Sequence, residues 1–292
     1  MYDIASIYRA DSVDDAISAL VRDPGAVVIA GGTDVLIKIR AGTLAGVRLV
    51  SIHDVPGLSG VSLAENGDVE IGPLTTFRGV TFSDVIRAAV PVLGEAADQA
   101  GGPQLRAAGT IGGNICNGIT SADTASTLMA FDAVLRATGP QGTRDIPISQ
   151  WYRGVGKVAL APAELLTRIT IPRARYEGWS GHYIKYAQRN AMDIATLGVA
   201  CLVKLSPDRR ICEDVRLAFG VAAPVPARAP SAEAGVRGLP VSEAVSRIGD
   251  LALEDVNPRD SWRASRDFRM HLVRELSGRA LARAAEKGGA VQ

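Results

Sequence analysis

Cysteine, histidine and aromatic side chains are what this 292-residue sequence has least of: three Cys, three His, and 5% aromatics. Cys116, Cys201 and Cys212 are odd in number and widely spaced, with no Cys-x-x-Cys, so a disulfide framework is excluded and a cytoplasmic setting is expected. A [2Fe–2S] cluster needs more thiolates than this chain offers. The expected state of the cysteines is small, buried and apolar. His53, His182 and His271 stand alone, and no His-x-x-x-His or His-Glu pair marks a metal site. Charge of one sign is missing too: 32 Lys and Arg face 31 Asp and Glu, a net charge of +1. Neither a basic nucleic-acid binder nor an acidic tail fits that balance. No apolar run reaches the ~20 residues that cross a bilayer. Residues 1–10 carry Asp3 and Arg9 and no apolar signal-peptide core.

Several familiar signatures are also absent. No Gly-x-Gly-x-x-Gly opens a dinucleotide fold of the doubly wound type, and no Gly-x-Ser-x-Gly occurs. Gly156-Lys157 lacks the earlier P-loop glycine and the following Ser or Thr. Arginines of the last helix, such as Arg266, Arg269, Arg274, Arg279 and Arg283, alternate with Glu275 and Glu286, as on a solvated face or a subunit contact.

Glycine, by contrast, is abundant, with 31 residues. Around it the periodicities predict a helix over 12–23, capped by Ser12. Strands are predicted over 26–30 and 47–52, with a helix over 35–41 between them. Asn66-Gly67 marks a hairpin joining 61–64 to 69–72. Helices are expected over 81–90, 91–100 and 123–131, and strands over 133–138, near Ile146 and over 165–171. The charged stretch from Arg173 to Ser180 is the expected boundary between a domain of residues 1–176 and one of 177–292. The second domain reads as strands over 183–188, 195–205 and 212–220, a Pro/Ala-rich connector over 224–230, and helices over 241–248 and 265–287. Hairpins and helices without regular β-α-β alternation indicate an α+β fold.

Two glycine stretches carry the functional question. Ala30-Gly31-Gly32-Thr33-Asp34 lies between a strand and a helix, where successive N–H groups can form an anion nest and Asp34 would cap the helix. Gly109 to Gly118 reads as a second loop, with Asn114 and Asn117 as donors. Two readings stand from spacing alone: tight turns in a glycine-rich domain, or two backbone patches around one extended, dinucleotide-like ligand.

The order of motifs resembles the FAD-binding medium subunit of the molybdenum hydroxylases, and within that family the branch of bacterial xanthine dehydrogenase. The matching stretches are Val28 to Asp34, Gly101 to Arg106, Thr110 to Asn114, Ser121-Ala122-Asp123, Glu164-Leu165-Leu166, Lys185 to Arg189 and Met192-Asp193-Ile194. Leu217 to Pro224 and Trp262 to Ser265 extend the resemblance into the tail. It implies a two-subdomain FAD-binding fold of the vanillyl-alcohol-oxidase/CO-dehydrogenase flavoprotein type. A C-terminal α+β domain with a short antiparallel sheet would follow.

The resemblance also implies an oxidoreductase subunit that takes electrons from a partner's clusters and passes hydride from reduced FAD to NAD+. The implied partners are a small iron–sulfur subunit with [2Fe–2S] clusters and a large molybdopterin-binding subunit, in a dimer of heterotrimers. The alternative within the family is a complex acting on carbon monoxide, aldehydes, N-heterocycles or aromatic acyl-CoA. By the same resemblance, Val27, Val28, Ile29, Ala30, Gly31, Gly32, Thr33 and Asp34 would hold the pyrophosphate and adjoining atoms. Thr110, Ile111, Gly112, Gly113 and Asn114 would line the other side of the FAD. Asp123 would bond its polar groups, Leu165 and Leu166 would pack beside it, and Lys185 would tune the flavin as a cation. The sequence departs from the pattern of its relatives at Ala107, which follows Arg106 where many carry asparagine, and from the animal xanthine enzymes at Ala100, near which those place an aromatic against adenine.

Overall fold

The computed structural model describes residues 2–290. Its first unit is a small parallel sheet: β1 (Ile4–Arg9), helix α1 (Val13–Arg22), β2 (Val27–Ile29), helix α2 (Val35–Arg40) and β3 (Val47–Ser51), in the order β1-β3-β2. The Ser12 hydroxyl caps α1 by accepting from the Asp15 N–H at 3.0 Å, and α1 buries Ala16, Ile17, Ala19 and Leu20. β1 is absent from the sequence expectation. It is an edge strand that fully buries none of its residues, so it carries no readable alternation, and its parallel partner β3 is remote in sequence. The unit is thus a local β-α-β-α-β arrangement inside an α+β molecule.

The second unit is an antiparallel sheet with a helical layer. In chain order it contains β4 (Val61–Leu63), β5 (Val69–Ile71), α3 (Phe77–Phe82), α4 (Asp84–Ala89), α5 (Pro91–Asp98), α6 (Pro103–Ala108), α7 (Ile111–Cys116) and α8 (Asp123–Ala130). β6 (Val134–Gly139), β7 (Gly142–Pro147), the short pair β8 (Tyr152–Gly154) and β9 (Lys157–Val158), and β10 (Leu165–Ile171) complete it. The sheet runs β4-β5-β10-β6-β7. The single helix expected over 81–90 is instead two, because Ser83 breaks the first and its hydroxyl caps the second.

After α9 (Arg173–Tyr176), the third unit lays out β11 (Ser180–Tyr186), β12 (Leu197–Leu205), β13 (Cys212–Gly220) and β14 (Ala227–Arg228) as an antiparallel sheet in that order. Helices α10 (Pro230–Val236), α11 (Val241–Ala252) and α12 (Arg266–Lys287) follow. β14 and the start of α10 fall in the stretch expected to be only a connector. β12 is buried on both faces. Leu197, Val199, Cys201 and Val203 join the core formed with α11 and α12. Ala200 and Leu202, with Tyr183 and Ala218, join the core beneath α5 and α8. The third unit therefore shares a core with the second. Cys201 and Cys212 are part of that apolar interior, and burial pushes the Cys212 thiol up to about 11.

A charged junction locks the same contact. Glu95 of α5 lies 3.0 Å from His182 Nδ1 on β11, accepts the Tyr183 N–H at 3.2 Å, and pairs with Lys287 of α12. Burial pushes the Glu95 carboxyl up, but the bonds from His182 and Lys287 outweigh it and hold the group below the usual range. A carboxyl with a lowered folded value contributes stability that is complete above its unfolded value and lost as pH falls. Thermal unfolding is expected to show this as a fall in melting temperature below about pH 4.3. Glu95→Gln should flatten that fall and cost about 1 kcal/mol near neutrality, where the bonds are charge-assisted but partly solvated.

Candidate functional site

The first two units close on each other around a cavity of about 630 Å³, and the loop between β11 and β12 reaches it with Met192, Asp193 and Ile194. That volume is in the range of cofactor sites. The turn Ala30–Asp34 between β2 and α2 forms one wall. The N–H groups of Gly31, Gly32, Thr33 and Asp34 make no backbone hydrogen bonds among the described residues, so the turn presents a run of free donors. Gly32 has φ +72°, a left-handed conformation that favours glycine. Gly31 is required for a different reason: a Cβ there would lie 1.8 Å from the Ala108 carbonyl oxygen. Its bare backbone lets the two glycine stretches pack directly together.

The second stretch is not the loop expected from its composition. Its middle forms α7, and the N–H groups that open that helix are consumed. Ile111 N–H donates to Thr75 O at 2.9 Å and Gly112 N–H to Pro73 O at 2.8 Å, while Gly113 and Asn114 donate to Thr110. A Cβ on Gly112 would meet Pro73 at 2.4 Å. These glycines serve close packing. What the stretch offers a ligand is side chains. Asn114 Oδ1 accepts from the Thr124 hydroxyl at 2.7 Å, which leaves the Asn114 Nδ2 donor available.

Asp34 does not cap α2. Its backbone is already helical, and its carboxylate accepts from Asn117 Nδ2 at 2.8 Å, across the cleft between the units. Asn117 Oδ1 in turn accepts from Lys38 Nζ at 2.8 Å. Lys38 is the cation among the described lining residues, against the carboxylates of Asp34, Asp123, Glu164 and Asp193. An anionic ligand here would rely mainly on backbone donors. Glu164 is tied by both oxygens to Arg144, at 2.8 and 2.7 Å, and accepts the Ala161 N–H at 2.7 Å. The Arg144 guanidinium holds its carboxyl below the usual range.

Asp123, at the start of α8, carries a buried network. Its carboxylate accepts from Tyr183 Oη at 3.0 Å and from Lys185 Nζ at 3.0 Å, and Lys185 also donates to Gln99 O at 2.9 Å. Burial pushes the Asp123 carboxyl up, against the opposing pull of Lys185 and Tyr183. The same burial, followed by the nearby carboxylate, raises Tyr183 well above its ordinary value.

Of the residues singled out from sequence, Val28, Ala30, Gly31, Gly32, Thr33, Asp34, Thr110, Gly112, Gly113, Asn114, Asp123, Leu165 and Leu166 line the cavity. Four do not. Val27 and Ile29 point to the opposite face of β2 and pack with α2, as strand alternation demands. Ile111 is fully buried in the core, and Lys185 sits behind Asp123. Ala100 lines the cavity and Ala107 does not. Sequence reasoning missed Lys38 and Phe77 in the lining, neither of which carries a local signal, while Leu105 lies in the matching stretch 101–106 but was given no place. Met192 to Ile194 were quoted as matching residues without being assigned a place.

A cleft between two small α+β units, with free turn donors on one wall and a buried Asp–Lys pair on another, has the form of a site for an extended dinucleotide-like cofactor. The family described as "FAD binding domain in molybdopterin dehydrogenase" matches residues 3–174, and the "CO dehydrogenase flavoprotein C-terminal domain" matches residues 182–284. The chain belongs to this molybdenum hydroxylase flavoprotein family. It is 40% identical over 294 aligned positions, all of both chains, to the xanthine dehydrogenase FAD-binding subunit of Escherichia coli O157:H7. It is 28% identical to the carbon monoxide dehydrogenase medium chain of Hydrogenophaga pseudoflava, covering 92% of this chain and 93% of that one. A solved carbon monoxide dehydrogenase from Hydrogenophaga pseudoflava superposes with a TM-score of 0.92 at 27% identity, over 98% of this chain and 99% of the other. Among the described residues no helix is long and apolar enough to cross a membrane.

Proposed function

We propose that this chain is the flavoprotein subunit of a xanthine dehydrogenase-type molybdenum hydroxylase, which receives electrons from an iron–sulfur partner and delivers hydride to NAD+. The observation that carries the reading is the full-length 40% identity to a xanthine dehydrogenase FAD-binding subunit. The relatives named for carbon monoxide or nicotine stand at 28% and 30%.

The cavity fits FAD by its donor set and its walls. The free N–H groups of Gly31 to Asp34 suit the pyrophosphate, aided by Lys38. Asn114 Nδ2 and the Asp123 carboxylate offer polar contacts, and Val28, Phe77, Leu105, Leu165 and Leu166 provide apolar surface for ring systems. Bound FAD supplies the conversion between single-electron and hydride transfer; the protein supplies placement and electrostatics. Lys185 acts through Asp123, compensating the carboxylate that faces the cofactor. In this proposal a molybdopterin subunit and [2Fe–2S] clusters lie in partner chains, in a cytoplasmic dimer of heterotrimers.

Purified chain is expected to show flavin absorption and to release FAD at one per chain on denaturation. Protein that carries no flavin and takes up none would overturn the reading. The assembled complex is expected to oxidise hypoxanthine and xanthine with NAD+. Turnover of a different heterocycle or of an aldehyde, with neither purine oxidised, would move the chain to another branch of the family. Turnover of the purines with dioxygen but not NAD+ would remove the hydride step.

A further inference from the structure

Among the described residues four carboxylates line the cavity, and three of them have a cation of their own. Glu164 pairs with Arg144 at 2.7 Å, Asp123 with Lys185 at 3.0 Å and Asp193 with Arg189 at 3.7 Å. Asp34 is the exception. It stands at the head of α2, four residues before Lys38, the spacing and order at which an acid and a lysine ordinarily pair on a helix. Among the described residues that pair does not form. The Asn117 side chain of the facing unit enters between the two instead. Its Nδ2 donates to the Asp34 carboxylate at 2.8 Å, and its Oδ1 accepts from the Lys38 ammonium at 2.8 Å.

The amide is presented by a pinned backbone. The Asn117 N–H donates to Gly113 O at 3.0 Å, and the next residue, Gly118, accepts from the Gly156 N–H at 2.9 Å. Gly118 has φ +67°, and a Cβ there would lie 2.8 Å from the Lys157 nitrogen. The turn joining β8 to β9 therefore fixes this end of α7. Asn117 is half-buried, Asp34 and Lys38 are exposed, and all three line the cavity. An ammonium carries three protons, and the Asn117 oxygen takes one. A lysine whose neighbouring carboxylate is held by a neutral amide keeps its charge for an anion from outside.

We propose that Asn117 is a positioning residue for the cofactor: its amide wedges Asp34 and Lys38 apart and so keeps the Lys38 ammonium for the phosphates of a bound dinucleotide. The proposal rests on the flavoprotein reading above. Asn117 acts through Lys38 and needs no contact of its own with the phosphates. The wedge exists only while the two units are closed on each other, since the amide comes from one and the acid and lysine from the other. When the units part, Asp34 and Lys38 are free to neutralise each other along α2. Cofactor capture and closure of the cleft are thereby coupled.

The test titrates FAD-free, full-length chain with FAD, followed by flavin fluorescence, and reads the melting temperature of each FAD-free variant. Asn117→Ala lets Asp34 capture Lys38, and FAD affinity is expected to fall at least about tenfold. The double variant Asp34→Asn/Asn117→Ala removes the capturing carboxylate as well, and should regain most of that loss. An amide that merely glues the units together gives the opposite ranking, with the double variant the weakest binder. In a Lys38→Met background, adding Asn117→Ala should cost little more. Asn117→Asp keeps the side-chain shape, so it guards against a packing defect in Asn117→Ala. Its carboxylate would occupy Lys38 and repel Asp34, and affinity should fall as far. A double variant that binds FAD no better than Asn117→Ala overturns the wedge alone. So does unchanged affinity in Asn117→Asp, or a full further loss on adding Asn117→Ala to Lys38→Met. Wild-type chain that takes up no FAD overturns the flavoprotein reading and this proposal with it.

Discussion

Gly31→Ala is expected to abolish FAD retention and to lower the unfolding free energy by about 3 kcal/mol or more. The added Cβ would lie 1.8 Å from Ala108 O and 2.7 Å from the Ala108 carbonyl carbon. These are backbone atoms of α6, so no rotamer change relieves the overlap. The two walls must separate, and the free donors of the turn move with them. Gly32→Val is expected to fail by another route, because φ +72° is strained for a β-branched residue. Gly42→Ala is the control: its φ of +80° carries conformational cost, but a Cβ there meets open space away from the cavity. It should lose about 1 kcal/mol and no flavin. Urea midpoints and the flavin-to-protein ratio read all three. Gly31→Ala with a wild-type midpoint and full flavin would show that the cleft does not depend on this contact.

The same residue shows what sequence could and could not reveal. Strand, turn and helix around Gly31 follow from a β-branched run, two glycines and an apolar repeat, all local signals. The reason for Gly31 is not local, since it lies in the Ala108 carbonyl of a helix remote along the chain. Composition likewise misled at 109–118. A glycine-rich stretch reads as a loop, but Thr110 can cap a helix, and Pro73 and Thr75 absorb its first N–H groups. Once those donors are used, only the first glycine turn remains as a backbone anion nest. β1 was illegible because an edge strand that fully buries nothing has no pattern. Asp123 and Lys185 were named through family resemblance, but their direct pairing, the Tyr183 hydroxyl and the position of Lys185 behind the wall required the fold. Lys38 and Asn117 join across the cleft from positions far apart in the chain, and nothing in either segment announces the other.

The buried pair yields the second large effect. Lys185 and Asp123 have side chains only 7% and 10% exposed, with 3.0 Å between Nζ and Oδ2. Lys185→Met keeps most of the side-chain volume and removes the ammonium, leaving a buried carboxylate with the Tyr183 hydroxyl as its partner. Removing one member of such a pair costs about 3–5 kcal/mol near neutral pH. The carboxyl can reduce that cost by taking up a proton, and burial already pushes its folded value upward. An acid whose folded value exceeds its unfolded one stabilises the fold most when protonated, and stability declines as pH rises from the unfolded value to the folded one. Lys185→Met should therefore be weakest near neutrality and recover toward acid, until the loss of the Glu95 contacts sets in. Asp123→Asn alone leaves the ammonium without a counter-charge and should cost a similar amount. The double variant Asp123→Asn/Lys185→Met has no unpaired charge and should regain most of the loss, whereas independent sites would add their costs. Urea midpoints across pH for the three variants measure the coupling, and flavin content separates stability from cofactor binding. A double variant no more stable than either single one would show that the carboxylate and ammonium do not compensate each other. A double variant that recovers stability but not FAD would assign the pair to holding the cofactor rather than to holding the fold.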